Sequence, residues 1–166
     1  GVIATTIKAE MASVEAYNEA IGWMSMLNRK ACEAMQEAGI NAATDVTGFG
    51  FIGHLFEMAA GSNVQVEVYS NQIEFMTGTL EYANMGLIPG GAYTNREYLA
   101  DKVEYTGEID PTVRDLLFSP ETAGGLLISV PESKAPQLLA AMEHRSCRCF
   151  NVGRVIDEGF KAIKVI

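Results

Sequence analysis

The residues best suited to chemistry lie in one stretch, Thr44 to Gly61. It opens on polar residues and one carboxylate, Asp45, passes through Thr47 and glycines at 48, 50 and 53, and reaches His54 inside an apolar run. Phe51, Leu55, Met58 and Ala59 recur at helical spacing, so the stretch reads as a glycine loop feeding a helix. Gly61 reads as the left-handed residue that stops it. A helix N-terminus offers unpaired N–H groups and a partial positive charge, which suits an anion. The dipole contributes only about 0.3–1 kcal/mol to an exposed ionic contact, so it can help place a phosphate but not hold one alone. A carboxylate beside such a loop makes chemical sense when a hard cation such as Mg²⁺ lies between it and phosphate oxygens. The competing reading is a glycine-rich turn with a solvated Asp acting as a cap.

The glycines also spell G-x-G-x-x-G. A dinucleotide fingerprint needs a buried parallel strand before it and an acidic residue roughly 20 positions on. Glu67 meets the second condition, but Ile40 to Asp45 is short and polar for a central strand, and Asp45 would set a negative charge beside a pyrophosphate. Phosphoryl transfer is mostly positioning and charge neutralisation. No Lys or Arg lies between Lys30 and Arg96, so this loop alone could not neutralise a triphosphate. A lone histidine such as His54 more often makes a structural hydrogen bond than acts as a base, and Glu57 reads as a helix-surface charge. Cys32, Cys147 and Cys149 form neither a disulfide framework nor a zinc pattern, and Cys32 reads as a small buried apolar residue.

The elements that must position these residues follow from periodicity and breakers. Residues 2–8 read as a strand. Ser13 caps a helix from Val14, whose stripe of Trp23, Leu27, Ala31, Ala34, Met35 and Ala38 runs to Gly39, with a break near Gly22. Val64 to Tyr69 alternates as a strand, and a helix near Ile73 to Met85 ends at Gly86. Pro89-Gly90-Gly91 is rich in breakers, so residues 87–95 read as a loop. Val103 to Tyr105 is a short strand, and Asp110-Pro111 starts a helix. Thr122 to Gly125 is a tight turn before a buried strand at 126–130, and Pro131 to Glu143 is a helix. The end reads as a hairpin of 149–156 and 160–166. This irregular interleaving predicts an α+β fold, a layered α/β sandwich with a mixed sheet.

The chain of 166 residues is the size of one domain, with 48% hydrophobic residues to form its core. A net charge of −9 argues against nucleic acid and anionic membranes as partners. No apolar run is long enough to span a bilayer, so a reducing cytoplasm is the expected location. Gly1 leads straight into strand-like residues without a methionine, which reads as a piece of a longer protein.

Thr44-Asp45-Val46-Thr47-Gly48-Phe49-Gly50-Phe51-Ile52-Gly53-His54 closely resembles the signature of the selenophosphate synthetase (selenide, water dikinase) family, part of the superfamily of aminoimidazole ribonucleotide synthetase. Leu27 to Ala31, Gly86 to Asn95 and Ser119 to Leu127 resemble further motifs of that family, in its order and near its spacing. The resemblance covers nearly the whole chain. It implies that residues 1–166 form a single domain, the C-terminal domain of a two-domain synthetase, with partial likeness to ferredoxin-like topology. The intact enzyme would make selenophosphate, AMP and phosphate from ATP, selenide and water, with Mg²⁺, a monovalent cation such as K⁺, and a homodimer formed mainly through the other domain. That N-terminal domain would supply the reactive cysteine or selenocysteine, a lysine and most metal-binding aspartates. No catalytic residue is therefore assigned here. The resemblance makes Asp45 a metal ligand and Thr47, Gly48 and Gly50 its supporting loop. His54, Asn95 and Thr122 are placed at the cleft, where packing explains them as well as catalysis does. The chain departs from the family's Asp-Pro-Gln-Thr-Ser-Gly-Gly at Ser119, Glu121 and Ala123. Ser119 is expected to cap a turn as Asp would. Two other readings stay open: a sister synthetase or kinase acting on a nucleotide precursor or thiamine phosphate, and a non-catalytic anion-binding domain.

Overall fold

The computed structural model describes residues 1–160 and 162–166. Helix α1 (Val2–Lys8) occupies the stretch expected to be a strand. Its β-branched residues suggest extended backbone, but Val2, Ile3 and Thr6 bury one helical face. Thr5 and Thr6 donate their hydroxyls to the carbonyls of Gly1 and Val2, one turn back, which helical backbone tolerates. Helix α2 (Val14–Ser25) starts where Ser13 Oγ accepts from Ala16 N. The chain then leaves the helix at Met26, whose ψ is 124°, and re-enters it in α3 (Arg29–Ala38). The break falls after Gly22, and Leu27 is 80% exposed rather than part of an apolar stripe. Gly39, at φ 72°, closes α3 as expected.

Strand β1 (Ala42–Asp45) leads through the glycine loop into α4 (Gly50–Gly61). Gly61 stays helical; the left-handed residue that turns the chain is Asn63, at φ 52°. Strand β2 (Val64–Val68) follows. The helix expected over 73–85 shrinks to α5 (Thr79–Asn84), because Gly78 at φ 76° sets its start; Gly86 at φ 84° ends it. The expected 87–95 loop is largely helix α6 (Gly90–Tyr98). Its breakers sit in front of and within the first turn, where Pro89 gives up no helical hydrogen bond. A side chain at Gly91 would come within 2.8 Å of Pro120, so glycine there permits close approach. Strand β3 (Val103–Tyr105) and helix α7 (Pro111–Leu116), capped by Asp110 to Thr112 N, lie where expected. Strand β4 (Leu126–Ser129) is half-buried, and helix α8 (Ala135–His144) follows a short 3₁₀ turn. Strands β5 (Gly153–Glu158) and β6 (Ile163–Val165) complete the fold.

The strands form two sheets, an antiparallel pair β1–β4 and a mixed sheet in the order β3-β6-β2-β5. Among the described residues β5 and β6 therefore do not pair as the expected hairpin: β2 lies between them, antiparallel to the first and parallel to the second. Ile163 and Val165 are fully buried, and this alternation fits β6 to an interior position between β2 and β3 rather than an edge. The mixed sheet shares its core with α4, through Ile52, Leu55 and Ala59 against Val66, Val68, Ile163 and Val165. A second cluster joins α1, α2, α5 and α7, and a third joins α3 and α8. The result is an α+β fold with helices layered on a mixed sheet.

Candidate functional site

The glycine loop is braced by two segments distant in sequence. Strand β1 pairs with β4 so that Asp45 lies opposite Leu126, and Val46 N donates to Gly125 O at 3.0 Å. Glu121 N donates to Thr47 O at 2.9 Å. Both hydrogen bonds hold the Ser119–Gly125 turn against residues 45–47. A side chain at Gly124 would meet Val46 O at 2.1 Å, and Asn28 Nδ2 donates to Gly124 O at 3.1 Å, so this turn is packed on both sides. Gly50, at φ 70°, lets the loop press on the backbone of Phe118 and Ser119; a Cβ there would stand 2.6 Å from Phe118 C. Ile52 N donates to Leu117 O at 3.0 Å. Asn95, on α6, donates through Nδ2 to Gly48 O and to Phe118 O, each at 3.0 Å. Asp45, Thr47, Gly48, Gly50 and Asn95 thus come together, and Thr122 lies exposed in the turn beside them.

His54 is 7% exposed and sits within 3.1 Å of Thr47 Oγ1 through Nε2. Its Nδ1 is 3.2 Å from Glu57 Oε2, close enough for ion pairing though not aligned as a hydrogen bond. The ring therefore ties the loop to its own helix. Phe49 packs beside it, with ring centroids 5.8 Å apart. Ser119 is buried, and its hydroxyl makes no hydrogen bond to a described residue, so it does not cap the turn as expected.

Asp45 differs from its neighbours. It is exposed, and its carboxylate has no hydrogen-bond or ion-pair partner among the described residues. No group of three or more His, Cys, Asp or Glu side chains could hold a metal among the described residues. Asp45 fits Mg²⁺ as a single protein ligand, because Mg²⁺ is often bound through one or two carboxylates, with water and phosphate oxygens completing its octahedron. The dinucleotide reading fails on topology. The strand before the glycines belongs to an antiparallel pair, and Glu67 is engaged by Arg154 at 3.0 Å. The cysteines are free, with Cys32 half-buried rather than buried.

Sequence reasoning missed the roles of Asn28, Gly91 and Phe118. The first signals by its amide alone. Gly91 signals only by being glycine, and Phe118 acts through its backbone carbonyl, about which the side-chain type carries little information.

Fold and site together define a layered α+β domain built around a braced glycine loop. The family model described as AIR synthase related protein, C-terminal domain, matches residues 15–166, and the chain belongs to that family. It is 48% identical over 159 residues to a selenide, water dikinase of Caldanaerobacter subterraneus, covering 95% of this chain and 46% of that protein. It is 41% identical to a protein of the same name from Clostridium botulinum, covering 99% of this chain and 48% of the other. The selenide, water dikinase of Pelobacter propionicus is also 41% identical, over 99% of this chain and 48% of its own length. The chain thus spans about half the length of the curated relatives it matches. Among solved structures, thiamine monophosphate kinase from Aquifex aeolicus superposes with a TM-score of 0.55 at 16% identity, over 99% of this chain and 45% of the kinase, a likeness of fold.

Proposed function

We propose that this chain is the C-terminal domain of a selenide, water dikinase, residues 1–166 forming one domain that works with an N-terminal ATP-binding domain. The intact protein would convert ATP, selenide and water to selenophosphate, AMP and phosphate in the cytoplasm, as a homodimer, with K⁺ as a further cation. One observation carries the reading. Three motifs resembling that family, around Asp45, Asn95 and Ser119–Gly125, are joined by hydrogen bonds into one surface with Asp45 left free at its edge. Asp45 would hold Mg²⁺ against the phosphates, and the metal would supply charge neutralisation there. Thr47, Gly48 and Gly50 set the position of that carboxylate, and Asn95 fixes the loop to α6. His54 orients the loop from within, and Thr122 borders the cleft without an assigned step.

The test is phosphorus NMR of the full-length protein with ATP and Mg²⁺, with and without selenide under anaerobic conditions. Selenide-dependent AMP and a phosphorus–selenium signal are expected. ADP formed independently of selenide would move the protein to a sister kinase. Nucleotide or phosphate retention without any turnover would favour an anion-binding domain.

A further inference from the structure

A second cleft is lined by neither Asp45 nor the glycine loop. Helices α6 and α7 and strand β3 enclose an open cleft of about 600 Å³. This is a size that small-molecule sites usually have. Leu99, Val103 and Phe118 give it apolar walls. Two guanidinium groups face it, and they are not equivalent. Arg96 is paired with Asp115 and lies 5.5 Å over the Tyr93 ring. Arg114 lies 4.5 Å over the Tyr105 ring, half-buried, and no carboxylate of a described residue pairs with it. Its Nε is buried without a hydrogen-bond partner.

This is not for want of carboxylates, since the chain has 21 Asp and Glu against 12 Lys and Arg. A partly buried, unpaired cation is costly. The ring beneath Arg114 offsets only part of that cost. Burial pushes the Tyr105 phenol up, with the two arginines opposing and Asp115 reinforcing, so the ring stays neutral near pH 7 and brings no negative charge to Arg114; Asp115 is engaged by Arg96. Glu97 is the remaining charged group on the lining, and it is exposed.

We propose that this cleft binds a small organic anion, with its oxyanion on the Arg114 fork and its apolar body between Tyr105 and Leu99. A planar guanidinium favours a planar or tetrahedral oxyanion through paired N–H donors. A cleft of this volume and lining asks for more than a bare ion. The inference is independent of the dikinase reading, because it uses neither Asp45 nor the glycine loop.

The test is calorimetric titration of the full-length protein with phenyl phosphate, benzoate and inorganic phosphate. At least one aromatic anion is expected to bind saturably, at least about ten-fold more tightly than inorganic phosphate. The tighter of the two aromatic probes names the head group. Arg114→Gln is expected to weaken that binding by at least about ten-fold, the loss of a charge-assisted pair. Arg114→Lys keeps the charge and loses the fork, and should weaken it several-fold with its melting temperature preserved. That second variant decides the matter if the first fails to fold. Absence of saturable aromatic binding overturns the proposal, as does inorganic phosphate binding equally well or binding indifferent to both variants.

Discussion

Asp45 and Gly50 sit five positions apart and call for opposite predictions. The side chain of Asp45 is exposed and has no partner among the described residues, although its backbone belongs to β1. Asp45→Asn in the full-length protein should therefore leave stability within about 0.5 kcal/mol. It should lower selenide-dependent AMP formation by about 100-fold or more, the scale for losing a group that stabilises transition-state charge. Steady-state rates across a Mg²⁺ titration would check this, and unchanged Mg²⁺ dependence would remove Asp45 from the site. Gly50 is buried at φ 70° with Phe118 backbone 2.6 Å from any added Cβ. Gly50→Ala should cost about 1–2 kcal/mol from the left-handed backbone alone, with the overlap adding to it. Urea unfolding would read the loss. Asn95→Ala removes both donors to Gly48 O and Phe118 O and should cost about 1–3 kcal/mol. Asn95→Asp should be no better, since a carboxylate cannot donate to those carbonyls.

At the scale of elements, α2 carries a pH-sensitive clamp. Glu19 accepts from Thr77 N at 3.0 Å and from Trp23 Nε1 at 3.3 Å. Hydrogen bonding to Thr77, chiefly, holds its carboxyl below the ordinary value of 4.5. A lowered carboxylate adds stability above its unfolded value and loses it as pH falls through the folded one. Wild-type melting temperature should therefore drop more steeply below pH 4.5 than that of Glu19→Gln, while the two change in parallel near pH 7. Equal slopes below that value would dismiss the clamp. Local signals made several elements legible: Ser13, Asp110 and Gly39 each act at a helix end as their chemistry dictates. The errors have two physical sources. In α1 and α6 tertiary burial overrides intrinsic preference, since Thr6 and Ala92 are fully packed in helices that β-branched residues and glycines disfavour. For β6 the strand was readable from Ile163 and Val165, but its neighbours are set by long-range pairing that no local pattern encodes. The glycine loop was readable by residue type, whereas its bracing by Asn95 and Phe118 depends on that same long-range packing.

Across the whole molecule, the distribution of charge sets what the chain can do by itself. Among the described residues its buried apolar side chains form three clusters, each drawing on elements far apart in sequence, and long-range packing of this kind favours cooperative folding. Its chemistry is not matched in the same way. No Lys or Arg lies between Lys30 and Arg96, so none comes from the glycine loop or from α4, and the net charge is −9. A triphosphate carries several negative charges, and its transfer depends on cations placed around it. One Asp-held Mg²⁺ cannot supply them all. The purified 166-residue chain should thus melt as a single cooperative unit yet form no AMP from ATP and selenide, while the full-length protein does. Phosphorus NMR on both, at matched concentration and Mg²⁺, separates the outcomes. Turnover by the chain alone would overturn this argument and mean that its own cations supply the neutralising charge.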